Sequence, residues 1–207
     1  MKNSILVFAL LLATFFANAQ GQFEQGMGQA LGLWGQGKPA EATALFERIA
    51  VAEKTSWLPN YYIGLINALE ALNPKNKENM TGLLAKSNAA VDSELEKNPN
   101  NAELIVVKCL AMTALLASDP MTYGMTMSPK IAGLYIKAGM IAPQNPRVVL
   151  NKARFDLGGA KWTGADTKKL CADVERSREL FATFKPETPF SPSWGADQVD
   201  QALRECK

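Results

Sequence analysis

Histidine is absent from this 207-residue chain. That absence removes Ser-His-Asp and Cys-His nucleophile systems, His-ligated zinc and the commonest general base. Carboxylates and lysines remain, but no motif arranges them for chemistry, so no enzyme is expected. A dominant charge is missing too: 22 basic side chains face 20 acidic ones, for a net charge of +2. Interspersed signs near neutrality leave no electrostatic footprint for nucleic acid. Alternating β-branched runs with Asn-Gly turns are lacking, which argues against a sheet. Gly26-Met27-Gly28 and Gly158-Gly159 lack the strand before and the Lys-Ser/Thr after that a phosphate cradle needs. Asp92, Glu94 and Glu96 lie on a mixed-charge helix face and read as solvated, not catalytic.

Long apolar runs are also absent beyond the first residues. Lys2, the run Ile5 to Leu12 and the small-x-small triplet Ala17-Asn18-Ala19 read as a signal peptide over 1–19, with Gln20 as the mature N-terminus. Removing Lys2 lowers the net charge from +2 to +1. No later segment approaches the roughly 20 apolar residues of a membrane span, and no Cys follows the cleavage site to carry lipid. The chain is therefore expected in the periplasm or outside the cell. Cysteine is scarce: Cys109, Cys171 and Cys206. Cys109 sits in the apolar run Leu104 to Leu116 and reads as a buried thiol. Cys171 and Cys206 fall in C-terminal helical segments and can pin the last helix back, if their separation allows it.

What is present is helical periodicity. Helices are predicted over about Gln22 to Trp34, Lys38 to Glu53, Trp57 to Leu72, Met80 to Lys97, Ala102 to Ala117, Ser128 to Ile141, Arg147 to Leu157, Ala165 to Phe184 and Ala196 to Cys206. The connections are predicted at Gly35-Gln36-Gly37, the polar stretch Asn73 to Asn79, the corners Asn98-Pro99-Asn100-Asn101 and Pro143-Gln144-Asn145-Pro146, and the methionine-bearing stretch Ser118 to Met127. Gly158-Gly159 is expected to end one helix. Three prolines in Pro186 to Ser193 predict an extended segment.

These residues resemble tetratricopeptide repeats, 34-residue helix-turn-helix units. Gly37 to Ile49 resembles the turn and second helix, with Ala42 and Phe46 in the small and aromatic slots; Tyr135, Ala138 and Pro143 resemble the end of a unit. Phe23, Trp57, Ala102 and Pro146 open successive units at spacings of 34, 45 and 44. The chain is similar to an exported, bacterial-type member with degenerate repeats. Expected units cover about 23–56, 57–101, 102–145 and 146–185, with a cap over 186–207. The fold implied is all-α, an antiparallel helical-hairpin solenoid with a C-terminal capping helix.

The resemblance implies a non-catalytic interaction module that holds a peptide or protein on a concave face lined by the first helix of each hairpin. Its slots fall on Glu24, Met27, Leu31 and Trp34, on Tyr61, Leu65 and Ala68, on Glu103, Val106 and Leu110, and on Arg147, Leu150 and Arg154. Trp34, Tyr61 and Leu65 are the expected contact residues, with Arg147 and Arg154 as a carboxylate clamp. No cofactor is expected. The alternative is a small-ligand or metal-binding protein of the cell envelope. There Met121, Met125 and Met127 offer thioethers to Cu(I), a soft ion.

Overall fold

A computed structural model describes residues 21–206. The expected leader over 1–19 lies outside them. The described residues form nine α-helices and two 3₁₀ turns, without a strand. They are α1 (21–35), α2 (Pro39–Ala52), α3 (Leu58–Leu72), α4 (Met80–Lys97), α5 (Ala102–Ser118), α6 (Pro120–Ile141), α7 (Pro146–Thr163), α8 (Thr167–Thr183) and α9 (Val199–Arg204). The fold is an all-α helical repeat in which consecutive helices pack in pairs. No helix among the described residues is long and apolar enough to cross a membrane.

The chain divides into two compact units, one ending at Tyr62 and the other beginning at Ile63. In the first, Ile49 of α2 packs close to Gly26 of α1; a Cβ there would lie 3.1 Å from it. Tyr62 anchors an aromatic cluster. It stacks on Phe46 at 5.1 Å between centroids and takes the edges of Trp34 and Tyr61; Tyr61 in turn meets Trp57 at 5.3 Å. Such pairs add to simple burial because ring edges and faces carry opposite partial charge.

In the second unit, α4 packs on α5, α5 on α6 and α7, and α7 on α8. Gly64, in the part of α3 that belongs here, lets helices meet closely. A Cβ on it would overlap Val91 and lie 3.2 Å from Val107, and its carbonyl accepts a 2.8 Å bond from Ser87 Oγ.

The two Pro-Asn corners repeat one construction. Asn101 accepts from the N–H groups of Glu103 and Leu104, and Asn145 accepts from those of Arg147 and Val148, so each caps the helix that follows. Each corner is also held from outside: Lys137 donates to the Pro99 carbonyl at 2.6 Å and Arg176 to the Pro143 carbonyl at 2.9 Å. Capping and anchoring thus recur in register.

Four expectations need correction. Ser118 to Met127 is not a loop. Asp119 caps a helix start by accepting from Thr122 N and Oγ1, Pro120 takes the first turn where no N–H is needed, and α6 runs on through Pro129. Buried Ile131, Tyr135 and Ala138 hold it down. Likewise α7 does not stop at Gly158-Gly159; it ends at Gly164, whose left-handed φ of 69° closes it. Asn73 to Asn79 contains a 3₁₀ turn, Pro74–Asn79, started by Asn73 accepting from Lys75 N. Finally, Glu94 is not solvated: it is buried beside Lys97 Nζ at 2.9 Å.

Cys171 and Cys206 form a disulfide, with 5.9 Å between their Cα atoms. Cys109 is a buried free thiol, as read from its apolar run, and burial pushes its pKa up to about 12.

Candidate functional site

Two places on the molecule carry more than packing. One is the start of α7. Arg147 is fully buried, which an arginine tolerates only when paired. Its Nε donates to both carboxylate oxygens of Glu103, at 2.8 and 3.0 Å, and its Nη2 lies 2.7 Å from Oε1. The last contact is an ion pair without hydrogen-bond alignment. Asn145 Nδ2 donates to the same Oε1 at 2.6 Å, so one asparagine caps α7 and ties it to α5. Phe184 lies over the guanidinium, 4.4 Å from Arg147 Cζ to the ring centroid. Nη1 has no hydrogen-bond partner among the described residues. Further along α7, Arg154 Nη1 donates to Gln198 Oε1 at 2.6 Å. Between the two arginines, Leu150 and Ala153 share a buried cluster with Val174, Val199 and Ala202, flanked by Leu157, Phe181 and Leu203.

The clamp residues are thus placed differently from the sequence expectation. Arg147 grips a carboxylate, but an internal one, and its guanidinium is sealed by Phe184. Tyr61 and Leu65 are buried as well, and so are Met27, Ala68, Val106, Leu110 and Leu150. These side chains are spent on packing because the first helix of a pair faces neighbouring helices, so its apolar slots fill the interior. Trp34 remains half-buried against Tyr62, and Arg154 is half-buried. Glu103 falls on a groove slot in the sequence; its role as partner to Arg147 has no local signal, since 44 residues separate them.

The other place is the outer face of α6. Met121 and Met125 are 86% and 88% exposed. Ile136 and Met140 are exposed too. At 100° per residue, Met121, Met125, Pro129, Ala132, Ile136 and Met140 share one stripe, about 28 Å long at 1.5 Å per residue. Met127 stands roughly 200° from Met125 on this helix and is half-buried. The three thioethers proposed for Cu(I) are therefore split, leaving two. Pro129 also lacks the N–H that would bond the Met125 carbonyl, so an acceptor sits under the stripe. Ile136 escapes notice as a partner of Met121 in the sequence because reading the stretch as a loop cuts the stripe in half. The described residues contain no cluster of three or more His, Cys, Asp or Glu able to hold a metal ion.

No protein-family model matches the sequence, and no curated protein does. Two solved structures share the fold. The HusA haemophore from Porphyromonas gingivalis is 21% identical, with a TM-score of 0.80 over 89% of this chain and 92% of its own. A thermophilic TPR protein of Thermus thermophilus is 14% identical, with a TM-score of 0.65 over 89% of this chain and 80% of its own. The chain is similar in fold to a haemophore and to a tetratricopeptide-repeat protein.

Proposed function

We propose that the protein is an exported, non-catalytic binding protein that carries haem, or a similar flat apolar ring, on the outer face of α6. The observation that carries this reading is the exposed stripe from Met121 to Met140, an apolar surface that water would otherwise cover at a cost. The ligand class comes from the haemophore whose fold the chain shares. The donor set fits. With no histidine in the sequence, Cys109 buried and Cys171 joined to Cys206, the exposed thioethers of Met121, Met125 and Met140 on the stripe are donors able to reach an iron. A methionine sulfur is an accepted axial ligand of haem iron. The leader read over 1–19 and the disulfide both suit an oxidising compartment.

Titrating haem into the purified mature protein should give a saturable shift in haem absorption. Met121→Glu and Met125→Glu change exposed positions, so the helical circular dichroism should hold while affinity falls about tenfold, the equivalent of one contact of ~1.4 kcal/mol. Unchanged binding in both variants would place the ring elsewhere; no binding by the native chain would sink the reading. Cu(I) is the competing cargo for the same sulfurs, and binding of Cu(I) without haem would favour the metal alternative.

A second reading, a peptide or protein partner held on first-helix faces, draws on the tetratricopeptide likeness. Most of its slots are buried, so it needs a face that can open.

A further inference from the structure

The residues assigned to the groove in the fourth hairpin are covered, and what covers them is the end of the chain itself. Phe184 sits on Arg147, Gln198 binds Arg154, and Val199 and Ala202 join the cluster around Leu150 and Ala153. Gly195, with a φ of 104°, turns the segment where a Cβ would come within 3.1 Å of Phe181 and 3.7 Å of Arg147 Cγ. Arg178 adds a 2.7 Å ion pair to Asp200. So a segment with an aromatic residue, an irregular stretch and a short amphipathic helix lies over the face shared by α7 and α8, with α9 packed chiefly on α8, as a bound peptide would.

Three features mark this segment as a placeholder. Helix α9 has only six residues, Val199–Arg204, too few to be stable without a surface to lie on. The segment's contact with Arg147, made by Phe184, is incomplete: a ring over a guanidinium leaves Nη1 without an acceptor. And its far end is fastened by one covalent bond, Cys171–Cys206, whose two cysteines are only half-buried.

We propose that residues 184–206 are a latched pseudo-ligand of the face shared by α7 and α8, and that reducing the disulfide frees this face for a peptide segment of another chain. The fitting segment carries an aliphatic pair for Leu150, Ala153 and Leu157, and a carbonyl oxygen for Arg147 Nη1. A neutral acceptor suits the site because Glu103 already balances the arginine. The chemistry is thiol–disulfide exchange with a dithiol: the dithiol loses two electrons and two protons and closes its own S–S bond, while Cys171 and Cys206 become thiols. The proposal stands apart from the haem reading and does not use α6.

Hydrogen exchange on the full chain tests the latch. After treatment with dithiothreitol, protection should be lost over 196–206 and kept in α7 and α8. No change, or loss across α7 and α8 together, would overturn it. Binding tests the face. The full-length double variant Val199→Asp, Cys206→Ser disables the internal segment, which would otherwise compete at high effective concentration. A fluorescein-labelled peptide of residues 184–206 carrying Cys206→Ser should bind this variant, with a rise in anisotropy, and not the oxidised native protein. Absence of binding by a variant that keeps its helical signal overturns the proposal, as does loss of that signal, which would make the segment part of the core.

Discussion

Arg147 and Glu103 are opposite charges in a nearly dry place, and their energetics are lopsided. Coulomb attraction and three directed hydrogen bonds offset the cost of desolvating both ions, so the pair contributes little net stability. Breaking it is different. Arg147→Met should cost about 3–5 kcal/mol, because Glu103 is left buried and uncompensated, whereas the double change Glu103→Leu, Arg147→Met should recover most of that loss. Chemical denaturation of the three variants measures both. Asn145 gives a finer test. Aspartate is as good a helix cap as asparagine, so a cap alone predicts that Asn145→Asp is harmless and Asn145→Ala costs about 1 kcal/mol. Yet Nδ2 of Asn145 also donates to Glu103. An aspartate there puts two carboxylates in contact, so Asn145→Asp should be at least as destabilising as the alanine variant. The reverse order would mean that the bond to Glu103 does not matter. At Gly64 the argument is steric. Any Cβ meets Val91, so Gly64→Ala should lower the melting temperature despite alanine's better helix propensity.

At the scale of the element, α6 shows what local signals can and cannot say. The corners at Asn98 to Asn101 and Asn145 are readable because an asparagine cap acts within three residues of itself. Asp119-Pro120 carries the same information, a cap followed by a first-turn proline, but with Pro129 nine residues on the pair reads as a broken loop. What overrides the second proline is not local: the α5 surface against which Ile131, Tyr135 and Ala138 pack. Gly158-Gly159 misleads for the same reason, since Leu150, Ala153 and Ala160 hold α7 to its neighbours past two weak residues. The Asp119 cap has a pH signature. Bonds from the side chain and the N–H of Thr122 hold its carboxyl below the ordinary range. A depressed folded-state value means that the contribution is fully present above the usual aspartate pKa of about 4 and is lost as pH falls through the folded value. Asp119→Ala should therefore lower the melting temperature at neutral pH, and the gap to the native chain should close on acidification. A gap independent of pH would mean that the charge plays no part.

At the scale of the molecule, the all-α class and the succession of helix pairs are legible because each helix carries its own period and most partners are sequence neighbours. The candidate sites are not. The α6 stripe depends on the helix continuing, and the cover over Arg147 comes from the far end of the chain. Both are facts about which segments meet, and a single sequence states those poorly.

Cys109 has a consequence during the making of the protein. Three cysteines allow three single pairings, and only Cys171 with Cys206 is native. In the finished molecule Cys109 is inert, since burial keeps its thiol protonated. In an unfolded chain it has no such shelter and competes as an equal. Order of assembly then decides yield: α5 must be covered before oxidation, or the chain is caught with a wrong crosslink. Refolding the reduced protein in a glutathione buffer should therefore give more native disulfide for Cys109→Ala than for the native sequence, provided oxidation outpaces collapse. Equal yields at every oxidant concentration would show that the α5 core closes first.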